Sequence, residues 1–338
     1  MQTYAGIDLH SSNNYIVVID ETDQRLFQKR MQNEIDPIIS ALDPFKNSLE
    51  AVVVESTYNW YWLVDGLADQ GYKVHLANPA ANKQYEGLKY TDDNWDSYWL
   101  AHMKRLGILA EGYIYPREER PIRDMLRRRS MFVEERTRHI LSFQSMFTRN
   151  LGVKISNNQV KKLKEEDAAK LFESQELSFL AARQIETIRF LAKTAKAIEK
   201  EVLSKVKLKE EFKMLNTITG IGNILALTIM LEVGDIGRFA TVGDYSSYCR
   251  CVDSKRKSNG KKKGENNAKN GNKYLAWAYV EAANFAKRYC KKAQRFYQKK
   301  AAKANKALAT KALSNKICRA SYYVMRDRVP YDPDMLFG

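Results

Sequence analysis

Over the first hundred positions, apolar residues come in short runs set off by turn residues, a pattern that predicts strands. Tyr4-Ala5-Gly6-Ile7 leads into Asp8, and after the turn His10 to Asn13 the run Tyr15-Ile16-Val17-Val18-Ile19 predicts a hairpin partner. Residues 25–31 supply a third antiparallel strand, and 36–42 a helix with Pro37 in its first turn. Leu49-Glu50-Ala51-Val52-Val53-Val54-Glu55 has the β-branched character of a buried central strand. The spacing of Tyr61, Trp62, Val64 and Leu67 predicts a helix over 58–70 with Gly71 as its stop, and residues 73–77 a short strand that Pro79 ends. Another helix starts at Thr91 or Asp92 and runs to Met103. Hairpin, third strand, helix, strand, helix, strand is the order of an RNase H-like α/β domain.

From Glu118 the period becomes helical, and no proline appears between Pro121 and Pro330. Met125, Leu126, Phe132, Ile140, Phe143 and Phe147 alternate with the Arg127-Arg128-Arg129 run and further arginines. The pattern predicts long helices with a basic face, broken near Asn150-Leu151-Gly152 and resumed from about Glu165 to Val206, as a helical hairpin or a dimerising coiled coil. The turn Thr219-Gly220-Ile221-Gly222 then opens a helix running to Glu232. Its free backbone N–H groups suit a DNA phosphate, and a plain tight turn suits the same residues. Residues 274–283 and 302–325 read as buried amphipathic helices. The expected division is 1–112, an α/β domain; 113–208, a helical connector; and 209–338, a mostly helical carboxy-terminal domain.

Composition adds a partner class. The 338 residues are 44% apolar, enough for a sizeable core, and 56 Lys and Arg against 40 Asp and Glu leave a net charge of +16. That excess favours nucleic acid, although ribosomal and membrane-surface proteins share it. It is concentrated between Arg250 and Lys273, where nine basic and two acidic residues stand among glycines and asparagines, a composition expected to form a mobile loop that orders on a polyanion. No apolar run reaches the roughly 18 residues of a membrane span and no signal-peptide pattern is present, so a cytoplasmic protein, nucleoid-associated when active, is expected. Cys249, Cys251, Cys290 and Cys318 lack CxxC spacing and point to reduced thiols rather than zinc.

The candidate chemistry is acidic. Asp8 and Glu55 each end an apolar strand, while Asp93 and Asp96, three apart, share one face of a first helical turn. Each has an ordinary alternative, a turn-forming strand end or an acidic helix start favoured by the dipole. Side by side, such carboxylates repel unless a cation lies between them. Ser258, followed by Asn259-Gly260, puts a hydroxyl beside Lys261, Lys262 and Lys263.

The segments GIDLH, VVVES, YTDDNWDSYWLAHMKRLGILAEGYIYP, ITGIGNILA and SNGKKKGENNAKNGNKYLAWAYVEAA, in this order across nearly the whole chain, resemble the insertion-sequence transposases with a DEDD motif. This is the group called the IS one-ten family, and within it the IS eleven-eleven subgroup, related to Piv-type DNA invertases. The resemblance implies a RuvC-like, RNase H-like amino-terminal domain, a coiled-coil connector and a carboxy-terminal transposase domain with a nucleophilic serine. It further implies a guiding bridge RNA from the same element that pairs with donor and target DNA; four such carboxylates suit Mg²⁺, and a homo-oligomer, dimer or tetramer, is expected, with the site either within one protomer or shared between protomers. The DEDD carboxylates fall on Asp8, Glu55, Asp93 and Asp96, with Asp92 as an alternative third, and the serine on Ser258, with Ser254 as its alternative. Thr219 stands where the family has proline, and Ser97 where alanine is common. Nucleic-acid contacts are expected from Arg127, Arg128, Arg129, Gly220, Gly222, Lys255, Arg256, Lys257, Lys261, Lys262, Lys263, Lys269 and Lys273. Three rivals remain: a RuvC-like junction nuclease using metal-activated water; an actin-like ATPase, for which a later Asp-x-Gly-Gly turn is missing; and a noncatalytic packaging protein, which leaves four carboxylates unexplained.

Overall fold

The structure, a computed structural model, describes residues 1–82, 93–206, 209–253, 256–264 and 270–337. They fall into two compact units, one holding residues 1–117 and the other 118–264 and 271–338.

In the first unit β1 (Thr3–Leu9), β2 (Asn13–Asp20), β3 (Arg25–Gln32), α1 (Ile35–Leu42), β4 (Leu49–Glu55), α2 (Tyr61–Asp69), β5 (Val74–Ala77), α3 (Asp93–Arg105) and the two-residue β6 (Glu111–Gly112) follow in order. The sheet order is β3-β2-β1-β4-β5-β6, antiparallel through β1 to β3, parallel through β1, β4 and β5, and antiparallel again at β6. This is the expected RNase H-like arrangement; only β6 had no sequence signal, because two residues carry no periodicity. The valine-rich strands are apolar on both sides because both faces are covered. Ile16, Val18, Val52 and Val54 pack with α1 and α2. Val17, Ile19 and Val53, one residue out of phase, face Ala101, Leu100 and Met103 of α3.

Gly6 decides how closely α3 can approach. A Cβ built there would lie 1.9 Å from the Ser97 carbonyl oxygen and 2.9 Å from the Ala101 nitrogen, so the helix backbone rests directly on β1. The far end of α3 is tied to the β2–β3 turn, where Asp23 accepts from His102 Nδ1 (2.7 Å) and Arg105 Nε (2.7 Å).

The second unit begins with α4 (Arg120–Leu151), α5 (Asn157–Lys162), α6 (Glu165–Ala169) and α7 (Gln175–Val206). α4 and α7 pack antiparallel, since Leu126 shares a cluster with Val202 and Val206 while Phe143 and Phe147 share another with Ala181 and Ile185. The long helices are therefore partners within one chain. α4 ends at Gly152 in the left-handed region (φ 71°), as its glycine predicts. The helix expected from Glu165 is corrected: α6 stops at Ala169, and α7 starts only at Gln175, where Ser174 Oγ accepts from the Leu177 N–H.

Next come α8 (Glu210–Asn216), α9 (Asn223–Val233), α10 (Val242–Tyr248), β7 (Arg256–Ser258), β8 (Lys261–Gly264), α11 (Lys273–Tyr289), α12 (Lys291–Lys303), α13 (Lys306–Asp327) and α14 (Pro333–Phe337). α9 is buried on every side from Leu225 to Val233 and forms the centre of this core. Within the Lys-rich segment, residues 256–264 form a hairpin. Asn259 (φ 49°) and Gly260 (φ 72°) make the two-residue turn between β7 and β8, a geometry that Asn-Gly favours. Its roots are held by Asn272 N–H to Tyr248 O (2.6 Å), Arg250 Nε to Gly271 O (3.1 Å) and Lys311 Nζ to Arg250 O (2.6 Å). All four cysteines are free thiols, and among the described residues no helix is long and apolar enough to cross a membrane.

Candidate active site

Parallel pairing places Ile7 opposite Val54, so the next residues, Asp8 and Glu55, leave the sheet side by side at the carboxyl ends of β1 and β4. Ligands gather at this edge of an open α/β sheet. Asp8 is only 3% exposed, with the Glu55 carboxylate beside it. Across Gly6, the first turn of α3 is fixed by Ser97. Its buried hydroxyl accepts from the Asp8 N–H (3.3 Å) and lies within donating distance of the carbonyls of Asp93 (2.8 Å) and Tyr15 (2.9 Å). One small side chain thus registers the helix against both strands of the hairpin and brings Asp93 to Asp8.

Between these two carboxylates stands His10. Its Nε2 is 3.3 Å from Asp8 Oδ2 and 3.3 Å from Asp93 Oδ1, and the three groups offer ligand atoms within 4.8 Å of one another. Nε2 is shielded from solvent and makes no hydrogen bond. Burial, above all, together with the neighbouring Glu55 carboxylate pushes the Asp8 carboxyl up to about 7, against an opposing pull from His10. A carboxyl group held half-protonated near neutrality, beside two more acids and a ring nitrogen that lies 3.3 Å from two of the three without hydrogen-bonding to either, forms a donor set that fits a divalent cation.

Asp8 thus has Glu55 on one side and Asp93 on the other, while Glu55 itself stands outside the group of three whose ligand atoms lie within 4.8 Å of one another. Asp96, one helical turn further along α3, is exposed and stands outside the Asp8, His10, Asp93 group. Asp92 lies outside the described residues. His10 was not foreseen as a site residue, yet a signal was there: two positions beyond Asp8, it leaves the strand end on the same side.

The other expected residues that the structure describes are in the second unit. Ser258 is exposed and pairs across the hairpin with Lys261; Lys261 and Lys263 are exposed too, and Arg256, Lys257 and Lys262 occupy hairpin positions. Lys273, exposed, opens α11. Lys255, Lys269 and Ser254 lie outside the described residues. Gly222 caps α9 with open space beside it, which leaves the helix N-terminus approachable. Gly220 instead serves packing: at φ 103°, its Cβ would meet the Ala282 oxygen at 2.4 Å and the Ala286 nitrogen at 2.8 Å on α11.

The arginine run divides. Arg128 is exposed. Arg127 forms a bidentate pair with buried Glu232 (2.6 and 2.7 Å), and Arg129 pairs with Glu199 (2.6 Å), so these two guanidiniums hold α4 against α9 and α7 rather than facing outward for a phosphate. Asn272, the N-cap of α11, donates to the same Glu232 (2.7 Å). Glu232→Ala is expected to leave Arg127 half-buried without its partner and to lower stability by about 3 kcal/mol, seen as an earlier midpoint in urea unfolding.

Comparison with known families agrees with this architecture. A DEDD transposase family model of the IS110 type, described as Transposase, matches residues 5–150. A second, described as Transposase IS116/IS110/IS902 family, matches residues 212–298. Together they span about two thirds of the chain. No curated protein matches it. With its strand-end acids on an RNase H-like sheet and both family domains in order, the chain belongs to the IS110-family DEDD transposases, enzymes of mobile elements that act on DNA.

Proposed function

We propose that this transposase cuts and rejoins DNA using Mg²⁺ held by Asp8, Glu55, Asp93 and Asp96 together with the hydroxyl of Ser258, and that a guide RNA of the bridge type selects its donor and target sites. The observation that carries the proposal is the Asp8 carboxyl, buried and pressed against Glu55 and Asp93 at a strand end, an arrangement relieved by a bound cation. When bound, Mg²⁺ supplies charge neutralisation at the phosphate under attack.

Among the protein's own groups, Asp8 and Glu55 provide oxygen ligands from the sheet, and Asp93 and Asp96 from α3. Ser258 Oγ forms a bond to phosphorus as the bond to one DNA strand end breaks, releasing that end as a hydroxyl and leaving a phosphoserine. Attack by an incoming strand hydroxyl reverses the step, so bond energy is conserved for rejoining. Lys261 and Lys263, exposed on the same hairpin, offset the charge that develops on the phosphate oxygens in this reading. Site choice by base pairing leaves the basic surface to bind backbones, which fits a net charge of +16.

A suicide DNA substrate tests this with protein purified together with its RNA. Wild type is expected to form a covalent adduct on a denaturing gel, and Ser258→Ala and ribonuclease-treated wild type none. Adducts persisting in Ser258→Ala would rule out this serine, and adducts surviving ribonuclease would rule out guidance. Cleavage to hydrolysed ends by Ser258→Ala would favour the junction-nuclease alternative.

A further inference from the structure

The geometry points to His10 as a ligand of the ion held by Asp8 and Asp93, giving the centre a nitrogen donor and a preference for Mn²⁺ over Mg²⁺. The inference rests on the proposed role of those two aspartates as metal ligands and adds to it a residue and an ion selectivity.

Three observations carry it. First, Nε2 lies 3.3 Å from one oxygen of each aspartate, and cis ligands of one six-coordinate ion are about 3 Å apart. Second, Nε2 is shielded from solvent yet hydrogen-bonds to neither oxygen, so it is aimed between them rather than at either. Third, the His10 backbone is built into place. Its carbonyl accepts from Asn33 Nδ2 (3.1 Å) and Asn59 Nδ2 (3.0 Å), its N–H donates to Asn13 O (2.9 Å), and buried Asn14 orients Asn33 (3.1 Å). A surface histidine resting against acids needs no such support, whereas a ligand must be held in register.

The chemistry of the donor set points the same way. Several carboxylates around a doubly charged ion already meet or exceed its charge, and a neutral imidazole adds a ligand without adding repulsion. Mg²⁺ favours oxygen donors and dehydrates reluctantly, while Mn²⁺ keeps the carboxylates and accepts the nitrogen more readily.

The test uses purified full-length protein with Mn²⁺ alone, read by electron spin echo envelope modulation. Wild type is expected to show nitrogen-14 coupling from a bound imidazole. His10→Gln should lose that coupling while still binding Mn²⁺, about tenfold or more weakly, and its preference for Mn²⁺ over Mg²⁺ in competition should shrink. Because the first readout is made on wild type, it does not depend on how the variant folds. Absence of nitrogen coupling in wild type, or its persistence in His10→Gln, overturns the assignment. If Asp8→Asn still abolishes Mn²⁺ binding in that case, the carboxylate centre stands and only His10 is excluded. If Mn²⁺ binding ignores Asp8→Asn, the metal site fails and the His10 assignment with it.

Discussion

Asp8→Asn is expected to abolish DNA strand cleavage and, in metal-free protein, to raise the melting temperature at pH 8. The two effects share a cause. Burial and the neighbouring Glu55 and Asp93 raise the Asp8 carboxyl from 3.8 to about 7 in the folded chain. Below the unfolded value, the group is protonated in both states and costs nothing. As the pH climbs toward about 7, the unfolded chain releases a proton that the folded chain keeps, and stability falls by up to about 1.4 kcal/mol per pH unit. Above that range the whole penalty, a few kcal/mol, is present. Asparagine preserves the shape and removes the charge. The variant and wild type should therefore melt most nearly alike at about pH 4, where little of the penalty has accrued, and diverge progressively up to pH 8, with the asparagine form higher. Adding Mg²⁺ or Mn²⁺ should raise the wild-type melting temperature at pH 8 and leave the variant unmoved. A variant that melts lower than wild type at pH 8, or that still cleaves, would remove Asp8 from the centre of the site.

That carboxylate was legible in the sequence because the logic of parallel strands is local. Two apolar runs that each end in an acid deliver both acids to one sheet edge once the runs pair in parallel, as Ile7 and Val54 do. Asp93 was legible from helix spacing and could be placed only because Gly6 and Ser97 seat the helix on the hairpin. His10 stands two positions beyond Asp8 on the same side of the strand end, but that spacing alone does not mark a ligand. Its meaning comes from Asn33 and Asn59, 23 and 49 residues away, which fix the turn it stands on. The arginine run misled for a similar reason. A cluster of positive charge suggests an outward face, but Arg127 meets Glu232 across 105 residues and Arg129 meets Glu199 across 70. In the Lys-rich segment, composition outweighed a stronger local signal. Asn259-Gly260 specifies a hairpin turn, and a two-residue turn can order flanking strands that have no apolar residues to bury.

Gly6→Ala, a single added methyl, is expected to reduce cleavage by about a hundredfold or more. The new Cβ would lie 1.9 Å from the Ser97 carbonyl oxygen and 2.9 Å from the Ala101 nitrogen, both backbone atoms of α3. Neither can rotate away, so the helix must lift from β1. Lifting it separates Ser97 Oγ from the Asp8 N–H and carries Asp93 away from Asp8 and His10, and a displacement of about 1 Å at reacting groups can cost a hundredfold in rate. Overpacking of this kind also costs about 1–3 kcal/mol in stability, because Leu100, Ala101 and Met103 lose part of their contact with the sheet. The loss of activity should exceed the loss of folded protein, measured by circular dichroism at the assay temperature. Gly112→Ala supplies the control within the same sheet: its Cβ would meet Leu76 at 3.4–3.6 Å, an ordinary contact, and that variant should cleave like wild type. Weaker Mn²⁺ binding by Gly6→Ala, measured directly, would trace the defect to the separated ligands. Full activity in Gly6→Ala would mean that the seat of α3 on β1 does not set the position of Asp93.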